Sequence, residues 1–519
     1  MTSGKRRKSK NRTKINPNLT PVMITGIIFV LIALYLALRI SKFALLPKAW
    51  RLLASLIVLL LAGIFGILSY LRRKKGIVLM IIEIILCIMM AIGSIGLPYI
   101  EKRIENLFSS NIRTDVQDFH VYTFTSEYRK AHPELGLPVY VSDNLLNYME
   151  VAFLYPESNS EAQKQALDRL KFELGGEVNL QSKSTLWETV QSFYKGEATC
   201  IILSDMVVDM LEETEEYENF SNDTIILTTI RTEVEIEVDD TEKISDKAFT
   251  VFIAGNDTRS GVLSIYGRTD VDILLTVNPE TAQALIISIP RDTFLPNPAL
   301  NYVNDKLTHL GNNGIMNTVE GLSDLYDIVM NYYAAVNFNT FKIIVDTLGG
   351  IDIYNPYGFQ GAHQYFPQGD LHMNGEDALE YVRIRHSLST GDFGRNEHQA
   401  IVLKSILKKL TSRTVLEKAD ALLTNLSGTV ATNIDPTSLM ELAAEELDHR
   451  RDWNIIYYHL GGYGTMDETA SMPGVMLYVA YPYNSQLIFV RDEVRSVLKG
   501  EILEQKELPN ENDTHYVPN

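Results

Sequence analysis

Three long apolar stretches fill most of the first hundred residues, and they restrict where the rest of the chain can be. Residues Pro21–Ile40, Leu52–Leu71 and Gly76–Leu97 are each long enough to cross a hydrocarbon core of ~30 Å as a helix. Basic residues separate them. The N-terminal tail carries Lys5, Arg6, Arg7, Lys8, Lys10, Arg12 and Lys14, and the second connection carries Arg72, Arg73, Lys74 and Lys75. The positive-inside rule puts both in the cytoplasm. Three crossings from an inside N-terminus then leave everything after about Glu101 outside. The first connection, with Arg39, Lys42, Lys48 and Arg51, weakens this bias without reversing it. Glu83 lies inside the third stretch. A carboxyl there is either functional or a protonated or helix-paired structural group, and the structural role is expected. Consecutive spans without a small-residue cleavage pattern argue against a cleaved signal peptide.

Charge divides the chain at the same point. Residues 1–103 hold 17 Lys+Arg and 2 Asp+Glu; of the chain's 47 and 65, that leaves 30 and 63 for the remainder, a net charge of −33. Such a surface is a poor match for nucleic acid, whose binding depends on phosphate neutralisation. A divalent cation is a natural partner. The two cysteines are Cys87, in a span, and Cys200. One cysteine in the acidic part makes no intrachain disulfide, so that part stands on its core.

Composition and periodicity predict two folded regions after the spans. Residues 104–244 mix helices (Glu161–Glu173, Leu186–Tyr194) with strands (Ala198–Leu203, Thr224–Val238), a small α+β domain. The charged stretch Val238–Lys247 marks its end. Residues 245–499 begin with the apolar strand FTVFIAG, followed by VDILLTV and ALIISIP around a turn at Asn278-Pro279. Val319–Tyr333 reads as a helix, FKIIVDTLGGIDIYN as two short strands broken by Gly349-Gly350, and Gly375–Val382, Arg395–Leu410 and Pro436–Leu447 as helices. Buried strands interleaved with helices predict an α/β fold, a three-layer α/β/α domain. The polar residues 500–519 are expected to lack packed structure.

Charged residues sit at the ends of the second region's strands, where ligands of α/β folds collect. Asp257 and Arg259 follow the first strand, Arg268 and Asp270 open the second, and Arg291 and Asp292 close the third. The stretch YVRIRHSLSTGDFGRNEHQ adds Arg383 and Arg385, which share a face if extended, and Arg395 and Gln399 in the first turns of a helix, where free N–H groups favour an anion. Asp392 precedes that helix, to cap it or to face the site. Five arginines (Arg268, Arg291, Arg383, Arg385, Arg395) plus Lys306 become candidates for one cluster, and a pyrophosphate is the ligand that best justifies it. Asp257 and Asp270 are candidates to hold a bridging Mg2+. The alternative is that the arginines pair with Asp292, Asp377 and Glu397 and only hold loops together. His386 and His398 lack zinc-site spacing and read as local hydrogen-bonders. Walker, GxGxxG, GxSxG and CxxC patterns are absent.

The segments GRTDVDILL, SIPRDT, DTLGGIDI and NGEDALEYVRIRHSLSTGDFGRNEHQ, in this order, resemble the LytR-CpsA-Psr (LCP) family of Gram-positive cell-envelope proteins. Three spans and an accessory domain ahead of the family domain resemble its capsule-type members. The resemblance implies a phosphotransferase that takes a glycan from a polyprenyl-pyrophosphate carrier and attaches it to peptidoglycan through a phosphodiester, in the context of polysaccharide synthesis machinery. It implies Mg2+ or Mn2+ on Asp257 and Asp270. Arg268, Arg291, Lys306, Arg383, Arg385, Arg395 and Gln399 would bind the pyrophosphate; Arg268, Arg291 and Asp392 would serve catalysis. It also implies a long apolar pocket for the lipid, with candidate lining from Val319–Tyr333 and Ile401–Leu410. One departure is His398-Gln399-Ala400, where many members read Arg-Gln-Gln, so no phosphate contact is expected from position 398. The rival readings are a pyrophosphatase and a glycan-lipid-binding regulator without turnover.

Overall fold

The computed structural model describes residues 21–43, 48–71, 77–108, 112–138, 144–158, 160–212, 214, 216–237, 247–256, 263–384, 392–410, 418, 421–422, 425–426, 429–435, 438–439, 442, 451–509 and 514–516. The chain divides into two compact units, residues 1–106 and 107–519. The first holds helices Pro21–Lys42, Lys48–Leu71 and Ile77–Phe108. Their apolar segments of 22, 22 and 23 residues have mean hydropathies of 2.5, 2.7 and 2.7, long and apolar enough to cross a membrane. Glu83 is fully buried among them. It accepts from Thr25 Oγ1 at 2.8 Å and also from Ser69 Oγ. Gly26 permits this approach, because a Cβ there would lie 2.6 Å from Ser69 Cβ. The carboxyl therefore links all three helices, the structural role expected of it.

The second unit contains two larger sheets. The first runs Asn179–Lys183, Ala152–Pro156, Cys200–Ser204, Ile112–Phe124, Thr224–Glu237. Its strands alternate between two cores. Phe119 and Val121 face the helix Glu161–Glu173, while Tyr122 and Phe124 face Val190 and Phe193 of the helix Leu186–Tyr194. Both helices start where expected, because Ser160 and Thr185 accept from the backbone N–H three residues on.

The second sheet runs Val430–Thr432, Tyr332–Asn337, Phe249–Asn256, Thr269–Asn278, Gln283–Ile289, Asn454–His459. Every residue of Gln283–Ile289 is buried, as its largely apolar sequence, broken only by Gln283 and Ser288, leads one to expect. The helices Ile315–Tyr326 and Asn484–Lys499 close one face through Leu322, Val490 and Val494. On the other lie Phe249, Val251, Tyr332 and Ile434. Truncating Leu274 or Leu285, both 0% exposed, to alanine would cost about 2–5 kcal/mol.

Three expectations need correction. FKIIVDT is not a strand: Phe338–Thr347 is a helix, capped where Asn337 accepts from Thr340 N. The helix expected over Val319–Tyr333 spans Ile315–Tyr326; it stops at Asp327, which is left-handed at φ 52°, and Tyr332 already belongs to a strand. The polar C-terminal stretch is packed over its first part: Leu503 is buried in the main core, and Leu503 N donates to Gln283 Oε1 at 2.8 Å. Of the expected helix Pro436–Leu447, most residues lie outside those described.

Candidate functional site

Strand register brings the charged segments to one end of the second sheet. Asn256, the last residue of its strand, pairs with Thr269 on one side and with Asn337 on the other. Asp272 pairs with Ile289. The start of Thr269–Asn278, the end of Gln283–Ile289 and the end of Tyr332–Asn337 therefore share an edge. Arg268 and Asp270 flank Thr269. Arg291 and Asp292 follow Ile289, and Arg291 Nη1 donates to Asp270 Oδ1 at 2.7 Å. Arg291 Nε lies 3.9 Å from Asp292, and Lys306 Nζ lies 2.7 Å from Asp292 Oδ1. Arg383 ends the helix Gly375–Arg383 with its guanidinium 4.4 Å over the ring of Phe338, the residue after Asn337.

Lys306 is only 3% exposed, so its placement depends on what holds its strand, Val303–Lys306. Asp305, fully buried, organises that segment. It accepts from Lys306 N at 2.9 Å, from Asn297 Nδ2 at 3.2 Å and from Ser471 Oγ, and His309 Nδ1 lies 2.8 Å from its Oδ1. The other ring nitrogen of His309, Nε2, is buried without a hydrogen-bond partner among the described residues. Thr308 N and Leu307 N donate to the carbonyls of Arg291 and Thr293, which fasten the segment onto the arginine turn. Beneath Asp270, burial pushes the Asp272 carboxyl well above the ordinary carboxylate range. The charge of Asp270 adds to this, and Thr269 and Arg291 oppose it.

Comparison with known proteins identifies the lineage. The profile of the LytR_cpsA_psr family matches residues 210–472. A protein of Oceanobacillus iheyensis named polyisoprenyl-teichoic acid–peptidoglycan teichoic acid transferase TagU is 31% identical over 224 residues, 42% of this chain and 68% of that one. The Bacillus subtilis protein of the same name is 32% identical over 218 residues, 42% and 69% of the two chains. The crystal structure of B. subtilis TagU aligns at 28% identity with a TM-score of 0.37, covering 51% of this chain and all of that one. The chain belongs to the LytR_cpsA_psr family.

The family match begins within the helix Asp205–Glu212 and ends at Met472, so it covers the strand-end cluster. Of the residues singled out in the sequence, the structure brings Arg268, Asp270, Arg291, Lys306 and Arg383 to the same edge. The alternative of structural pairing holds in part, because Asp270 and Asp292 each accept from a cation there. Asp377 instead accepts from Gln364 Nε2 at 2.6 Å. Asp257, Arg259, Arg385 and His386 lie outside the described residues. Asp392 does not precede its helix: it is the first residue of Asp392–Leu410. The side chains of Asp392, Arg395 and Glu397 are outside the description; Gln399 is half-buried on the same helix.

His398 is a core residue. Its ring stacks 4.1 Å from Tyr381 and 4.7 Å from Phe359, and Nδ1 lies 3.1 Å from the Tyr381 carbonyl. Burial lowers its pKa, against that carbonyl's pull. The family segment thus has an aromatic anchor at this position. Sequence reading missed Asp305, His309 and Ser471. The i, i+4 spacing of Asp305 and His309 was the available signal for the first two, and none existed for Ser471, 166 residues away.

Proposed function

We propose that the protein is a membrane-anchored phosphotransferase that moves a glycan from a polyprenyl-pyrophosphate carrier to a peptidoglycan hydroxyl, forming a phosphodiester. The glycan proposed is a capsular or exopolysaccharide, in line with the three apolar helices and the extra sheet ahead of the main one. One observation carries the reading: Arg291 and Lys306 pair with Asp270 and Asp292 at one end of a buried sheet, and Arg268 lies two residues before Asp270 at the same strand end. Guanidinium forks in such a position suit the oxygens of a pyrophosphate. The names of the relatives favour this donor and acceptor class.

In this proposal the pyrophosphate lies against Arg268 and Arg291, with Lys306, Arg383, Arg385, Arg395 and Gln399 completing the cradle. Asp270 and Asp257 would hold Mg2+ or Mn2+. Asp270 would supply one carboxylate at the strand end, where Arg291 Nη1 donates to its Oδ1, and hard cations take one or two carboxylates and fill their shells with phosphate and water. A cation there would neutralise charge on the bridging and leaving oxygens. The acceptor hydroxyl attacks the phosphorus that carries the glycan. The bond from that phosphorus to the bridging oxygen breaks, and polyprenyl phosphate leaves with its electron pair. The hydroxyl proton passes to Asp392 or to water. Positioning and electrostatic stabilisation carry most of the rate in such transfers, so no strong base is needed. An N-terminus in the cytoplasm puts the remainder outside, on the same membrane as the lipid donor.

The test is the full chain in lipid vesicles with Mg2+, a polyprenyl-pyrophosphate oligosaccharide and peptidoglycan fragments. A phosphodiester-linked product by mass spectrometry is expected. Glycan phosphate released into water despite acceptor would make the protein a hydrolase, and donor binding without turnover would make it a regulator.

A further inference from the structure

The helix Asp205–Glu212 belongs to the first sheet, yet two of its side chains reach the segments that carry the cationic cluster. Met206 meets Gly267, the residue before Arg268: a Cβ built on Gly267 would lie 3.4 Å from Met206 Sδ. Gly267 has φ +127°, and its N–H donates to the Gly311 carbonyl at 2.9 Å. A Cβ on Gly311 would in turn sit 2.3 Å from the Gly267 carbonyl oxygen, so the backbones touch with no room for a side chain. Met210 faces the next residue along: Asn312 Nδ2 lies 3.2 Å from its sulfur. Met210 also packs in one cluster with Met472, Val475 and Leu477, against Leu186 and Trp187.

That cluster leads to the second cation. Met472 opens a strand of the hairpin Gly462–Thr469/Met472–Pro482. At its turn, Ala470 N donates to Asn304 O at 2.8 Å and Ser471 Oγ donates to Asp305. Asp305 holds the Lys306 backbone. One helix of the first sheet therefore meets Gly267, the residue before Arg268, through Met206. Through Met210 it packs with Met472, whose neighbour Ser471 donates to Asp305, the acceptor of Lys306 N.

We propose that Met206 and Met210 are positioning residues for the pyrophosphate site: they fix the Gly267–Arg268 and Ser471–Asp305–Lys306 segments, so that the first sheet sets the affinity for the donor's phosphates. The inference deepens the proposed function and rests on it. It gives the first sheet a role in donor binding without contact to the donor. Thioethers suit such a seam, because they fill irregular gaps and adapt to small shifts.

The experiment uses the full chain in detergent and reads the dissociation constant of a polyprenyl pyrophosphate, the donor KM and kcat, and the melting temperature. Met206→Ala combined with Met210→Ala should raise the dissociation constant and KM about tenfold with kcat within about twofold. Met206→Leu with Met210→Leu should restore both. Ser471→Ala, a milder change, should weaken binding by about threefold without loss of folding. Arg268→Ala is the control for the site itself. If Arg268→Ala abolishes binding while the methionine and serine variants bind as tightly as the parent, the positioning role is wrong. If Arg268→Ala binds normally, the site assignment falls first.

Discussion

Both sheets of residues 107–519 bury charged groups, but they complete them differently. In the first, Asp118 accepts from Arg231 Nε and Nη2 at 2.9 and 2.8 Å across adjacent strands. Arg129 donates to the Pro138 carbonyl, Thr123 Oγ1 and Tyr148 OH. Those contacts stay within one sheet and its flanking turns. In the second, Arg291 and Lys306 pair with Asp270 and Asp292 at one edge, Arg268 lies two residues before Asp270, and Asp305 ties that edge to a distant hairpin. A structural pair satisfies its own charge and sets a local register. A binding site gathers charge at a strand end and fixes it from several directions. The sequence predicts α+β for the first region and α/β for the second; the functional difference lies in how their charges are held.

The contrast breaks if removing charge from the second sheet acts on folding rather than on transfer. Arg268→Ala and Arg291→Ala should each reduce transfer by at least ~10²-fold, the scale of a lost transition-state contact, with the melting temperature nearly unchanged. Both side chains are partly solvated, so the fold loses little. Near-parent rates in both variants, measured with donor well below saturation, would leave the cluster without a function.

Asp305 should behave in the opposite way. Asp305→Ala leaves donors on Asn297, Lys306 N, His309 and Ser471 without their shared acceptor in a dry interior. The expected cost is about 2–4 kcal/mol of stability, read as a lower midpoint in denaturant, with transfer falling because Lys306 is displaced. Unchanged stability would mean that water replaces the carboxylate there.

The sequence announced the strand-end arginines because they interrupt apolar runs at FTVFIAG, VDILLTV and ALIISIP, and register did the rest. It concealed the helix Phe338–Thr347. Ile343, Ile344 and Val345 favour a strand locally, yet Phe341, Ile344, Val345 and Leu348 form the i, i+3, i+4, i+7 stripe that packs in the core of Ile351 and Tyr381. Asn337 settles the choice by capping. It concealed the Met206–Gly267 and Ser471–Asp305 contacts more completely, because nothing local encodes a partner 61 or 166 residues away.

Arg383 tests the comparison at its margin. Its side chain is exposed and lies over Phe338, a contact worth about 0.5–1 kcal/mol at such a site. Arg383→Ala should therefore barely move the denaturation midpoint while lowering transfer severalfold or more. Arg383→Lys should restore the charge but not the planar fork, so only partial recovery is expected. Full recovery by lysine would reduce the role of Arg383 to general electrostatics.

The smallest expected effect belongs to the first sheet, and its sign separates a structural pair from a catalytic one. Hydrogen bonding and charge from Arg231 hold the Asp118 carboxyl below its ordinary range, against the opposing effect of burial. A depressed folded-state pKa means that the unfolded chain binds the proton more readily, so stability is gained as pH rises. The contribution is complete above the ordinary aspartate value of about 3.9. It is lost as pH falls through the lower folded-state value. Asp118→Asn should thus be less stable than the parent at pH 7, and the two should converge in acid. Transfer at neutral pH should be the same in both wherever both are folded. A change in the pH profile of transfer, rather than of unfolding, would tie the first sheet's own charge pair to the chemistry and erase the distinction between the two sheets.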